Sequence, residues 1–65
     1  MCLSTVYVDS DGKRQKVMQD VALMEAENDG YVLSDLFGDN QFVQGKIKRI
    51  DFFEANEVLL EKISR

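Results

Sequence analysis

The sequence predicts an all-β fold: a small, closed or nearly closed β-barrel of about six short antiparallel strands, residues 1–65 forming a single domain that pairs into a homodimer. Three observations lead there. Runs rich in β-branched and aromatic residues are separated by turn formers at short, regular spacing, with Asp9-Ser10-Asp11-Gly12, Asn28-Asp29-Gly30 and Phe37-Gly38-Asp39-Asn40 as the main breaks. Closing so many short strands into a barrel removes the edges that would otherwise invite aggregation. A chain of 65 residues buries only about 60% of the surface its unfolded form exposes, so association is expected to supply the rest.

Leu3 to Val8 reads as the first strand and runs straight into the Asp9–Gly12 turn. Lys13 to Met18 is mostly polar and is expected as a short outer strand. Gln19-Asp20 interrupts, and the apolar pattern resumes from Val21 to Glu27. Asp29-Gly30 between two apolar runs is a strong hairpin signal, because a primed turn needs positive φ at its central residues. Tyr31 to Leu36 follows as a strand. Gln41 to Phe53 reads as one long extended segment bent at Gly45, since Phe42 and Ile50 share one parity while Val43 and Ile47 share the other. Glu54-Ala55-Asn56 makes the last turn, and Glu57 to Ile63 closes the chain. Leu59, Leu60 and Ile63 also fit one face of a helix, with Glu57, Glu61 and Lys62 as helix formers, but a strand is favoured. In the first strand Leu3, Thr5 and Tyr7 are expected to face one way and Cys2, Ser4, Val6 and Val8 the other, so both faces are partly apolar. One face can line the barrel while the other meets a second subunit.

Composition excludes several functions. A net charge of −4 argues against a phosphate-binding footprint. Lys46, Lys48 and Arg49 lie near Phe42, Phe52 and Phe53, a mixture that can bind single-stranded nucleic acid, but three charges on an acidic chain read better as a solvated strand face. With no histidine there is no ordinary general base near neutral pH, no serine sits in a nucleophile-elbow sequence, and Asp35 and Asp39 are not paired as acid and base; an enzyme is not expected. Asp9-Ser10-Asp11-Gly12 superficially resembles a calcium loop, yet its glycine falls too early and no glutamate closes it. The longest apolar runs, such as Val21 to Met24, are far short of the roughly 20 residues that span a bilayer. One cysteine and no signal-peptide pattern give cytoplasmic as the expected compartment.

That cysteine, Cys2, is the distinctive chemistry. Placed one peptide from the N-terminal amine, its thiolate and nearby backbone nitrogens can surround one metal ion in a compact chelate, a donor set that suits square-planar Ni(II) or Cu(II). Structural zinc fits poorly, because one thiol and no imidazole leave even a dimer short of ligands. The plain alternative is that Cys2 packs as a small hydrophobe at an interface.

Met1-Cys2, a first strand ending in a turn, Asp20-Val21 before an apolar strand, Glu27 to Gly30 as a turn, and Asp35-Leu36-Phe37-Gly38 leading to Val43-Gln44-Gly45 together resemble the CooT-type nickel-binding proteins. The likeness spans essentially the whole chain. It implies a small SH3-like β-barrel homodimer that holds Ni(II), about one per dimer, at the subunit interface through Cys2, with Met1 contributing its amine or thioether. In the founding member this serves nickel supply to carbon monoxide dehydrogenase, which makes a nickel enzyme the implied client. Some members of the family are described as RNA-binding, so the competing expectation is a structural or regulatory module without metal.

Overall fold

The computed structural model describes residues 3–62 and contains six β-strands: β1 (Ser4–Ser10), β2 (Lys13–Glu27), β3 (Gly30–Asp35), β4 (Asn40–Gln44), β5 (Lys46–Asp51) and β6 (Glu57–Glu61). They form one sheet in the order β4-β3-β2-β1-β6-β5. The all-β expectation holds, but the closed barrel does not form: β4 and β5 are the two edges of the sheet. The strands are not all antiparallel either. β1 and β6 run parallel, Thr5 opposite Glu57 and Asp9 opposite Glu61.

Residues 13–27, expected as two strands broken at Gln19-Asp20, are one strand of 15 residues. Its first part pairs with β1, from Ser10 opposite Lys13 to Ser4 opposite Val21. Its last part pairs with β3 on the other side, from Val21 opposite Asp35 to Glu27 opposite Gly30. Asp20 sits at the changeover with φ +57°, a left-handed conformation that a short Asp side chain tolerates. The polar pair therefore marks a bend where the strand changes partner, which composition alone renders as a break.

The long segment Gln41 to Phe53 is likewise corrected. It is two strands, β4 and β5, on opposite edges of the sheet yet joined by the single residue Gly45. One residue can connect both edges only if the sheet curls until they meet at that corner. Gly45 has φ +150°, and a Cβ there would lie 2.9 Å from the Glu61 carbonyl oxygen. Only glycine meets both conditions at once. Phe52 and Phe53 fall outside β5, in the connection to β6.

The core joins five of the six strands: Val6 of β1, Val21 of β2, Leu33 of β3, Val43 of β4, and Val58 and Leu60 of β6. β6 is a strand, with Val58, Leu59 and Leu60 buried in succession. β6 is paired along both edges, with β1 and β5. Val58 and Leu60 belong to the core cluster, and Leu59, outside it, lies on the opposite face between Tyr7 and Arg49 in the register. The Arg14 guanidinium stands 5.1 Å from the Tyr7 ring centroid and reaches Glu57 at 3.3 Å, a cation over an aromatic face. β6 ends at Glu61; Ile63, expected to extend it, lies outside the described residues.

Candidate functional site

Met1 and Cys2, the two expected metal ligands, lie outside the described residues. The structure does define how the chain enters the fold immediately after them. The Asn56 side-chain amide donates to the Leu3 carbonyl at 2.8 Å, the Ser4 hydroxyl approaches the Asn56 side-chain oxygen at 3.4 Å, and the Thr5 N–H donates to the Asn56 carbonyl at 3.3 Å. Asn56 holds φ +52°, a conformation Asn adopts more readily than other non-glycine residues. One residue of the β5–β6 connection thus latches the start of β1. Sequence reasoning marked Asn56 only as a turn former; its side-chain role depends on a parallel pairing that no local pattern announces.

Beside this latch lies an apolar groove of about 270 Å³, lined among others by Ser4, Leu23, Met24, Ile47, Ile50 and Phe52. Leu23, Ile47, Ile50 and Phe52 are exposed, and no residue of β5 is fully buried. So many large apolar side chains around one concavity exceed the scattered exposure ordinary for a monomer surface.

The other candidates resolve into structural roles. Lys48 pairs with Asp9 at 3.1 Å and Arg49 with Asp51 at 3.5 Å, so two of the three basic residues near Phe42, Phe52 and Phe53 face carboxylates. Asp9 is engaged by that lysine within the turn that resembled a calcium loop. Asp35 caps its own loop: its Oδ1 accepts the N–H groups of Phe37 at 2.8 Å and Asp39 at 3.0 Å. Asp51 does the same for Phe53 at 2.9 Å and Glu54 at 3.0 Å. These N–H groups, Glu54 first and then Phe53, hold the Asp51 carboxyl below its ordinary value. Among the described residues, no three of His, Cys, Asp and Glu gather into a group that could hold a metal ion. No helix among them is long and apolar enough to cross a membrane.

Comparison with known proteins places this arrangement. The chain is 36% identical over 61 residues to the uncharacterized protein MJ1551 of Methanocaldococcus jannaschii, covering 94% of this chain and 98% of that one. Its fold matches the crystal structure of a protein described as CooT from Carboxydothermus hydrogenoformans with a TM-score of 0.84, covering 97% of this chain and 100% of that one at 22% identity. The profile of the CO dehydrogenase accessory protein CooT matches residues 1–61, a span that includes Met1 and Cys2 together with all six strands, and the chain belongs to the CooT family.

Proposed function

We propose that this protein carries nickel to a nickel enzyme, carbon monoxide dehydrogenase in the first instance, and binds Ni(II) through the Cys2 thiolate at a homodimer interface. The observation that carries this reading is membership, across residues 1–61, in a family of CO dehydrogenase accessory proteins. An accessory protein without its own catalytic constellation acts on the enzyme's supply or assembly, and the soft thiolate of Cys2 with adjacent amine or amide nitrogen is the donor set in this chain suited to nickel.

The apolar groove supports the dimeric part. It is lined by Ser4, two residues from Cys2. A second copy covering the groove about a two-fold axis removes Leu23, Ile47 and Ile50 from water and draws two N-terminal segments together. Two thiolates and two nitrogens then suffice for one near-planar Ni(II) per dimer, with Met1 supplying its amine or thioether.

Anaerobic nickel titration tests the reading. Saturation is expected at about half an equivalent per chain with a thiolate-to-metal charge-transfer band. Cys2→Ser should abolish the band while the dimer mass persists. Ile50→Asp, which puts a charge into the groove, should yield monomers that bind nickel weakly. A tag fused ahead of Met1 should weaken binding at neutral pH and do so less at alkaline pH, where the donor groups release protons at lower cost. Undiminished binding by Cys2→Ser removes Cys2 from the site and leaves a metal-free interaction module as the better reading.

A further inference from the structure

Two of the most exposed apolar residues do not line the groove. Phe37 is 86% exposed and Phe53 is 93% exposed. Each ends the same local device, Asp35-Leu36-Phe37 in one loop and Asp51-Phe52-Phe53 in the other. In both, the aspartate is the last residue of its strand and its Oδ1 accepts the N–H of the phenylalanine two residues on. The first loop is closed again by the Asp35 N–H donating to the Asp39 carbonyl at 3.1 Å. These bonds fix the backbone that presents each ring, so little ordering of the loops remains to oppose docking.

The register sets the two rings on either side of the N-terminal entrance. Asp35 and Ser4 both pair with Val21, from opposite sides. Asp51 and Thr5 both pair with Glu57, again from opposite sides. At two strand spacings, each loop leaves its strand about 10 Å from the start of β1. Each loop carries two carboxylates: Asp35 and Asp39 in one, Asp51 and Glu54 in the other. Among the described ion pairs, a single cation reaches these four, Arg49 on Asp51 at 3.5 Å.

We infer that Phe37 and Phe53 form a two-pronged aromatic clamp that seats the chain on its client protein, each ring entering an apolar socket whose rim is basic. The inference rests on the carrier reading and names how the client is engaged: the prongs flank the end of the molecule from which the metal-bearing segment enters β1. Charge decides the occupant. A second copy docking by the same loops would oppose carboxylate to carboxylate, and an anionic lipid surface would repel them, whereas a basic rim is attracted and steered. Aromatic side chains that fill pockets carry a disproportionate share of interface energy.

The test compares wild type, the double variant Phe37→Ser with Phe53→Ser, and the double variant Asp39→Lys with Glu54→Lys, which leaves the capping residues Asp35 and Asp51 in place. Binding to nickel-free carbon monoxide dehydrogenase is followed by interferometry at low and high salt, beside nickel titration, solution mass and binding to phosphatidylglycerol vesicles. The aromatic variant should lose affinity for the apoenzyme at least tenfold while keeping the wild-type nickel stoichiometry and mass. The charge variant should lose several-fold and show a flatter salt dependence. Equal binding by wild type and the aromatic variant, or no binding by wild type that still takes up nickel, overturns the clamp and leaves the carrier reading standing. A fall of the aromatic variant to monomer mass overturns it in favour of self-association, and tight vesicle binding in favour of a membrane surface. Absence of nickel uptake by wild type refutes the carrier reading by itself, whatever the clamp does.

Discussion

Replacing Asn56 tests whether the fold latches the entrance to the candidate nickel site. Two separable contributions meet at this residue: the 2.8 Å bond from its side-chain amide to the Leu3 carbonyl, and a backbone at φ +52°. A net hydrogen bond of this kind is worth about 1 kcal/mol, and a β-carbon without local polar compensation in the left-handed region costs about 1–2 kcal/mol. Asn56→Ala loses the bond and keeps the strain, so it should destabilise by about 2–3 kcal/mol. Asn56→Gly loses the bond but fits the backbone, so it should cost about 1 kcal/mol. At about 4–8 °C per kcal/mol for a domain of this size, melting followed by circular dichroism should fall by about 10 °C or more for Ala and about 5 °C for Gly. The glycine variant should also bind nickel more weakly than wild type, because the segment after Cys2 is no longer tethered. Equal losses for Ala and Gly would refute the backbone part of the argument. A glycine variant as stable as wild type, with unchanged nickel affinity, would refute the latch.

Gly45→Ala should destabilise by about 2 kcal/mol or more, since it adds strain at positive φ and presses a Cβ to 2.9 Å from the Glu61 carbonyl at the corner joining the sheet edges; urea denaturation measures it. Gly30→Ala should be at least as damaging, because its Cβ would meet the Val43 carbonyl oxygen and lie 2.8 Å from the Gln44 Cα; strand-pairing cross-peaks between β3 and β4 in NMR spectra should weaken. Asp51 gives a pH test: its folded-state pKa is lowered, so its contribution is full above its ordinary value of 3.8 and is lost as pH falls through the lowered folded value. Protection of the Phe53 and Glu54 amides against exchange, taken relative to the intrinsic rate at each pH, should therefore fall at the acid end of the carboxylate range, and Asp51→Asn should remove that dependence.

Much of this fold was legible because turns are local. Asp11-Gly12 and the Phe37–Asp39 break act through backbone conformations that neighbouring residues dictate, and each marks a connection in the structure. The Asn28-Asp29-Gly30 cluster also marks one, but the positive φ falls at Asn28 rather than at the expected Asp29-Gly30 pair, and Gly30 is already the first residue of β3. The enrichment in β-branched, aromatic and other apolar residues between turns that assigned the strands is equally local, and it placed Val6, Leu33, Val58 and Leu60 within strands. Gly45 as a bend and the mismatch of parity around it were also readable, because a face can change only where the chain turns. The resemblance resting on Met1-Cys2 and the ordered turns found the CooT family without any three-dimensional information. The ligands of the candidate site were named by chemistry, as a thiolate beside an amine, and that naming needs no fold.

What the tertiary structure alone decided is which strands are neighbours and what surrounds the N-terminal entrance. Parallel pairing of β1 with β6 joins residues more than 50 positions apart, and it is that pairing which makes Asn56 a latch for Leu3. The Gln19-Asp20 bend could not be told from a break, because a polar pair looks the same in either case until the partners of β2 on its two sides are known. Whether the sheet closes depends on the accumulated twist and on hydrogen bonding between its edges, neither of which residue types encode locally. The sequence by itself determined the all-β class, the turns and the family, since those follow from residues close together in the chain, and it supplied the donor chemistry on which the nickel proposal rests. The open edges, the apolar groove beside Ser4 and the placing of Phe37 and Phe53 on either side of the start of β1 come from long-range register, which only the folded sheet specifies.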